Sequence, residues 1–234
     1  MLSNSYGKRG SALFVSQHLY TIGQPLESTV LALISANSRS GKGALRRRIK
    51  DCDYVGKPQI ISMDIVNFFE SLAGKWFSQR TTHDLAGQSS QAGQSNLVIE
   101  FLPATDSELA QACTPLSHDP NQIACGLRVH QDSQLDGQPQ KMQSTALMVI
   151  FAPTEAGEGV LVQAAGSSVL EGRYRIKDEV LSITTPTENG QVEERLWFVN
   201  PNLRMRTSVV KVGGTEQIAS FCSEIRMGVS KPAT

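Results

Sequence analysis

The chain has 234 residues, with 22 basic and 22 acidic side chains. This neutral balance gives no general nucleic-acid footprint, and no apolar run reaches the ~18 residues of a membrane span. The four cysteines and four histidines show no metal-binding spacing, so we expect no metal site. Scattered thiols are typical of proteins in a reducing compartment such as the cytoplasm.

The charge is unevenly distributed along the chain. Residues 1–62 hold nine basic and three acidic residues, a net charge of +6, whereas residues 63–234 hold 13 and 19, a net charge of −6. We interpret residues 1–62 as a basic, disordered extension or a mis-assigned translation start, because Met63 opens the first well-patterned segment. A transit peptide, which would direct the protein to a plastid stroma, is an alternative for a segment so poor in acidic residues.

The patterned part of the chain begins with a predicted helix. Five apolar residues between Ile65 and Leu72 fall at helical spacing, with Ser62 or Asp64 as the N-cap and Gly74 as the terminator. Further along, the run Thr105-Asp106-Ser107-Glu108 has the form of a capping box and predicts a short helix towards Cys113. Another short helix is predicted to begin at Asp119-Pro120.

Most of the remaining sequence predicts β-strands separated by turn residues. About ten short strands in succession predict a mainly β protein, an antiparallel barrel with an N-terminal helix and short helices in one connection. Closure removes the unpaired edges of such a sheet, and a barrel of this size can hold a small ligand. A two-sheet sandwich is the alternative. The predicted strands are 75–83, 96–102, 127–131, 144–151, 159–164, 172–176, 180–184, 192–198, 203–211 and 217–227.

Gly74-Lys75-Trp76 resembles the Gly-x-Trp signature of lipocalin-like barrels, in which the Trp closes one end and an Arg from a late strand packs on it. Arg226, in the last predicted strand, is the candidate for that cation. The simplest interpretation of the pair is structural packing at one end of the barrel.

Two consecutive predicted strands, 192–198 and 203–211, carry most of the charged side chains that are candidates for a ligand site. Strand alternation puts Arg204, Arg206 and Ser208 on one face. That face either points to solvent or forms a clamp for anionic groups, since arginine binds carboxylates bidentately. Glu194 joins this face only if paired residues of the two strands have numbers with an even sum. On the first strand, Arg80 either joins the clamp or pairs with an acidic neighbour.

Residues 63–231 resemble the S-type phycobiliprotein chromophore lyases, the CpcS/CpeS family, which includes a related U-type subunit. The resemblance rests on four blocks, which are Gly74–Thr81, Ile99–Leu102, Glu193–Ser208 and Ala219–Met227. It implies a lipocalin-like antiparallel barrel with an α-helix. It also implies a bilin lyase, which binds a free bilin such as phycocyanobilin and attaches it by a thioether to a cysteine of a phycobiliprotein α or β subunit.

The resemblance also assigns roles to residues of this chain. Glu194, Arg204 and Ser208 occupy the family's principal bilin-binding and activity positions. Arg206 and Arg80 are expected as supporting cations, and Trp197 as part of the pocket wall. The bilin is implied as the substrate, with no tightly bound cofactor.

Three alternatives to an independent lyase remain at this point. The chain lacks the family's usual Trp-Asp-Gly near His130-Gln131-Asp132-Ser133, and a second Trp that usually follows. It is therefore either a lyase that acts without an S-type partner, with a homodimer as one possible form, or one subunit of an S/U-type heterodimer. A non-catalytic bilin carrier and a general lipocalin-like binder are the other two alternatives for its function.

Overall fold

A computed structural model describes residues 65–154 and 157–228. The basic segment of residues 1–62, the boundary at Met63 and both N-cap candidates, Ser62 and Asp64, lie outside the described residues, so those expectations stay predictions. No helix within the described ranges is long and apolar enough to cross a membrane.

Two α-helices and ten β-strands make up most of the described residues. Helix α1 spans Ile65–Ser71 and α2 spans Ser107–Cys113, with short 3-10 turns after α2 at Thr114–Leu116 and Pro120–Gln122. The strands are β1 (Gly74–Asp84), β2 (Ser89–Pro103), β3 (Ile123–Leu135), β4 (Lys141–Phe151), β5 (Glu158–Ala165), β6 (Ser168–Lys177), β7 (Val180–Thr187), β8 (Gly190–Asn200), β9 (Leu203–Val212) and β10 (Thr215–Arg226).

The strands form one closed antiparallel barrel. Each strand pairs with its neighbours along the chain, and β1 also pairs with β10. The predicted barrel is confirmed, and the two-sheet sandwich is wrong. Strand β2 begins at Ser89, seven residues before the predicted start at Asn96. Its first part is rich in Ser, Gln and Gly, which are poor strand formers, and it becomes a strand because it pairs with β1 from Asp84 onward.

The up-and-down strand order gives the barrel two distinct ends. The chain enters β1 from α1, so the β2–β3, β4–β5, β6–β7 and β8–β9 connections lie at the same end as α1. We call this the helix end. The remaining connections, which begin with β1–β2 and finish with β9–β10, lie at the opposite end, which we call the far end.

Helix α1 covers the interior at the helix end. Its buried Phe68 and Phe69 pack with Trp76 and other apolar side chains in the largest core cluster, and each buried aromatic contributes roughly 1.5–3 kcal/mol to stability. Trp76 Nε1 donates a hydrogen bond of 2.9 Å to the carbonyl of Leu72, which follows the helix. This bond fixes the end of α1 against the first strand.

Arg226 ties the last strand to the end of helix α1. Its guanidinium donates to the carbonyls of Ser71 and Ala73, at 2.8 and 2.5 Å, and lies 4.2 Å from the Trp76 ring centroid. The predicted packing of Arg226 on Trp76 is therefore confirmed. Gly74 has a φ of +122°, and a Cβ there would lie 2.6 Å from Arg226 Nη1, so glycine is needed at this junction.

Helix α2 packs outside the barrel, against a second apolar cluster that includes Leu109, Cys113 and Val149. The helix lies where the capping box predicted it. However, its N-cap is Asp106, whose carboxylate accepts from Glu108 N at 2.9 Å, rather than Thr105. Asp119 caps the second 3-10 turn as predicted.

Candidate functional site

Strands β8 and β9 bring the predicted site residues to one inner face. Glu194 lies opposite Ser208, Leu196 opposite Arg206 and Phe198 opposite Arg204. Each pair has the same even sum, so the register that the sequence required for a shared face is confirmed. A register shift between Phe198 and Asn200 then leads into the turn to β9.

The arginines of this face point into the barrel and not to solvent. Arg204 is only 1% exposed and Arg206 only 6%. The solvent-facing alternative is therefore wrong for both residues. Because a buried guanidinium is costly unless it is paired, these positions need an internal partner.

Glu224 of β10 is the partner of both arginines. Arg204 Nε lies 2.5 Å from Glu224 Oε2, and Arg206 Nη2 lies 3.1 Å from Oε1, which also accepts from Ser78 Oγ at 3.2 Å. Burial raises the pKa of Glu224, but Arg206, Arg204 and the hydrogen bonds outweigh burial and hold that pKa below its usual range. Sequence reasoning missed Glu224 because only the β9–β10 register brings it opposite Arg204.

Arg204 also belongs to the packing at the helix end. Its guanidinium carbon lies 4.1 Å from the Trp76 ring centroid, and its Nη1 donates to the Leu72 carbonyl at 3.4 Å. Arg204 therefore connects the end of α1, the end-closing tryptophan and the buried carboxylate of Glu224.

Glu194 and Ser208 face each other, but their side-chain polar atoms form no hydrogen bond among the described residues. Both Glu194 carboxyl oxygens and the Ser208 hydroxyl are buried and make no hydrogen bond within residues 65–154 and 157–228. Burial raises the pKa of Glu194 to about 7, because the opposing attraction of Arg206 is weaker and Glu224 adds repulsion. Near neutral pH the group can therefore give or take a proton, and it has acceptor sites that a ligand can fill.

Arg80 approaches the same region from β1. It points inward opposite Cys222 of β10, is half-buried, and forms no ion pair within the part of the chain that the structure describes. The alternative in which Arg80 pairs with an acidic neighbour is therefore not observed. Burial lowers the pKa of Arg80, and Cys222 and Glu224 only partly offset this effect. An entering anion would relieve this unpaired charge.

The predicted position of Trp197 in the pocket wall is wrong. Trp197 pairs with Met205 on the outer face of the barrel and is half-buried there. Side chains alternate along a strand, so an odd separation from Glu194 puts Trp197 on the opposite face. The inward aromatic is its neighbour Phe198, which packs against Phe68 and Trp76 at centroid distances of 5.9 and 6.2 Å.

Apart from the buried Arg204–Glu224–Arg206 cluster, the interior changes from apolar at the helix end to polar towards the far end. Beside Glu194, on the helix side, a cavity of about 20 Å³ is lined by Arg204, Arg206 and apolar side chains from α1 and the strands. A cavity of this size holds about one water molecule. A larger ligand must therefore displace these side chains or reach Glu194 from the far end. Inward polar residues towards the far end include Arg80, Thr82, Ser95, Gln131, Ser133, Ser144, Thr185 and Ser220.

Comparison with known proteins identifies the family. The model of the CpeS-like protein family matches residues 64–227. The chain belongs to this family. A chromophore lyase CpcS/CpeS of Thermosynechococcus vestitus is 42% identical over 178 residues, which cover 74% of this chain and 98% of the relative. A phycocyanobilin lyase subunit CpcS of Picosynechococcus is 32% identical over 174 residues, which cover 71% of this chain and 88% of that protein.

A solved structure supports the same relationship. The S-type phycobiliprotein lyase CPES from Guillardia theta matches with a TM-score of 0.64 and 26% sequence identity, over 72% of this chain and 96% of that chain. This CpeS-like protein therefore shares both the sequence pattern and the barrel with a lyase of known structure. The lipocalin-like fold implied by the resemblance is confirmed.

Proposed function

We propose that this CpeS-like protein is a bilin lyase, which binds a free bilin such as phycocyanobilin and attaches it to a cysteine of a phycobiliprotein α or β subunit. The observation that carries the proposal is the buried Glu194–Ser208 pair, which has three unpartnered polar atoms beside a cluster of arginines. A bilin supplies the complementary groups, since it has a row of pyrrole N–H donors and two propionates on a flat conjugated body.

In this proposal the carboxyl of Glu194 accepts from the pyrrole N–H groups, and the hydroxyl of Ser208 supports that contact. Arg80 is the cation best suited to a propionate, because it has no ion pair within the described residues. Arg204 and Arg206 share Glu224 and supply further positive charge to the same interior. The bilin enters from the far end, where the inner wall is polar.

The reaction is an addition with no leaving group. The sulfur of the acceptor thiol bonds to the exocyclic carbon of the ring A ethylidene, the carbon–carbon double bond is lost, and the thiol proton ends on the ring carbon. A thiol with a pKa of ~8.5 is mostly protonated near neutral pH. Holding the bilin in one orientation for the acceptor therefore supplies much of the rate.

Glu194 has a second role in this scheme. A carboxyl whose pKa is about 7 can share its proton with the bound tetrapyrrole. A protonated bilin withdraws electron density from the ethylidene and makes that carbon a better electrophile. Glu194 thus acts as both a binding group and an acid, whereas the nucleophile belongs to the acceptor protein.

The partners follow the same reasoning. We propose the phycobiliprotein subunit as the acceptor, and either a second copy of this chain or an S/U-type partner as the other subunit of a dimeric enzyme. The name of the Picosynechococcus relative, a lyase subunit, supports a heteromeric form. For localisation we propose the cytoplasm, or a plastid stroma if residues 1–62 are a transit peptide.

Co-expression tests the proposal. The full chain is produced with phycocyanobilin-synthesising enzymes and an acceptor subunit, with and without an S-type partner, and covalent bilin is detected by zinc fluorescence on a denaturing gel. We expect fluorescence at the acceptor's mass, and its loss with Glu194→Gln. Bilin binding without acceptor labelling would indicate a carrier instead. No spectral change with any bilin would overturn the proposal.

A further inference from the structure

A third buried polar side chain without a partner lies beside the Glu194–Ser208 pair. Thr185 of β7 is 1% exposed, and its Oγ1 makes no hydrogen bond among the described residues. A buried hydroxyl without a partner costs roughly 1–3 kcal/mol. A chain that keeps such a hydroxyl in its interior has one donor and one acceptor ready for a ligand.

The register puts Thr185 next to Glu194. Glu194 lies opposite Ile183, and Thr185 lies opposite Val192, two residues further towards the far end on both strands. Thr185 and Glu194 are therefore diagonal neighbours on the inner face, about 7–8 Å apart by the usual spacing of such pairs. Three successive strands, β7, β8 and β9, each present an unpartnered polar group to the same interior.

Several other interior hydroxyls have partners within the protein. On the β1–β10 wall, Thr82 and Ser220 form a hydrogen bond of 3.0 Å with each other, and Ser78 donates to Glu224. The two fully buried hydroxyls without a partner among the described residues, Thr185 and Ser208, thus lie on the wall around Glu194. This distribution is expected if a ligand lies along that wall and supplies the missing partners.

Gly172 of β6 lies against the Thr185 hydroxyl. A Cβ added at Gly172 would lie only 3.0 Å from Thr185 Oγ1 and 3.1 Å from the carbonyl of Thr184. Any side chain at this position would therefore crowd the hydroxyl and restrict what can approach it. Glycine at position 172 therefore lets the Thr185 hydroxyl pack directly against the β6 backbone.

We propose that the Thr185 hydroxyl is a further bilin contact, which binds the lactam group of a terminal pyrrole ring while Glu194 binds the inner pyrrole N–H groups. The proposal rests on the bilin-binding function proposed above. The terminal rings of a bilin each carry a lactam, with a carbonyl acceptor beside an N–H donor, and a hydroxyl can serve either. A contact at a terminal ring fixes which way round the tetrapyrrole lies, and so which end meets the acceptor thiol.

A set of conservative variants tests this contact. Thr185→Val removes the hydroxyl and keeps the shape, Thr185→Ser keeps the hydroxyl, and Thr184→Val is the matched control, since Thr184 is the exposed neighbour on the outer face. Each full-length variant is titrated with phycocyanobilin and followed by absorbance. We expect Thr185→Val to raise Kd at least fivefold and shift the absorption band, and the other two to stay within twofold of the wild type.

Thermal unfolding of the ligand-free variants separates a binding role from a structural one. Removing an unpartnered hydroxyl should leave the melting temperature of Thr185→Val equal to or above that of the wild type. Gly172→Ala is a second probe, because its methyl group crowds the hydroxyl, and it should also weaken phycocyanobilin binding. A wild-type Kd for Thr185→Val would overturn the proposal, whether its melting temperature falls or not.

The outcomes distinguish this proposal from the function on which it rests. If the wild type binds neither phycocyanobilin nor any other bilin, the proposed function fails and the Thr185 contact is wrong as well. If the wild type binds, Glu194→Gln is impaired and Thr185→Val binds normally, then only the Thr185 contact is wrong.

Discussion

Glu194 lies directly opposite Ser208 across β8 and β9, and the two buried side chains leave three polar atoms without partners among the described residues. Polar groups that are buried without hydrogen-bond partners lower the stability of the folded protein. Binding sites often carry such a cost, because the groups that a ligand needs are those the fold leaves unpaired.

The raised pKa of Glu194 predicts a specific dependence of stability on pH. The folded state holds the carboxyl proton with a pKa of about 7, against an ordinary value of 4.5. The stabilisation is therefore fully present below pH 4.5 and is lost as the pH rises through 7. The loss is on the order of 3 kcal/mol, from the size of the pKa difference.

Glu194→Gln stays neutral at every pH and should lack this slope. Urea denaturation of both proteins between pH 4.5 and 8.5 measures the difference in their free energies of unfolding. We expect the wild type to lose stability relative to the variant over this range. If the free energies of unfolding of the two proteins changed with pH in parallel, Glu194 would ionise normally. Arg206 rather than burial would then determine the pKa of its carboxyl.

Glu224→Gln should destabilise the protein strongly. The change leaves Arg204 and Arg206 buried without their carboxylate, and breaking one side of a buried ion pair costs about 3–5 kcal/mol. Since the pKa of Glu224 is depressed, its contribution is present above the ordinary carboxyl range and is lost as the pH falls through the folded value.

Chemical denaturation at neutral pH measures this effect. Glu216→Gln, an exposed carboxylate on the same strand, is the matched control and should change stability by no more than about 0.5 kcal/mol. An equally small effect of Glu224→Gln would mean that the two arginines find other partners in the interior.

The sequence predicted the barrel well because strand alternation and turn residues are local signals. All ten strands were found, and the Trp76–Arg226 packing followed from the place of a short motif between a helix and a strand. The first half of β2 was missed, since its polar residues carry no strand preference and it owes its conformation to pairing with β1. Such pairing is a tertiary effect that no local pattern contains.

The site was harder to predict than the fold. Alternation within a strand gave the shared face of Arg204, Arg206 and Ser208, but the partner of both arginines depends on the register between β9 and β10. Glu224 was therefore missed. Trp197 was assigned to the pocket by resemblance, although its odd separation from Glu194 already placed it on the other face.

The outward position of Trp197 predicts that it is not needed for bilin binding. Trp197→Ala should leave the Kd for phycocyanobilin within twofold of the wild type, because the side chain lies on the outer face against Met205. Phe198→Ala should cost up to about 3 kcal/mol of stability instead, since that partly buried ring packs against Phe68 of the core. Absorbance titration and urea denaturation measure the two effects, and a large loss of affinity with Trp197→Ala would contradict the assignment.

Arg80 gives the sharpest test of a propionate contact, because its charge has no ion pair among the described residues. Arg80→Met should leave the free energy of unfolding nearly unchanged, and should weaken phycocyanobilin binding about tenfold through the loss of one charge-assisted hydrogen bond. The dimethyl ester of phycocyanobilin lacks the propionate charges, so it should bind the wild type and Arg80→Met equally. Arg195→Met, an exposed cation on the outer face of β8, is the control for net charge and should bind both compounds as the wild type does. If Arg80→Met weakened the diacid and the ester by the same factor, Arg80 would be contributing shape rather than charge to the site.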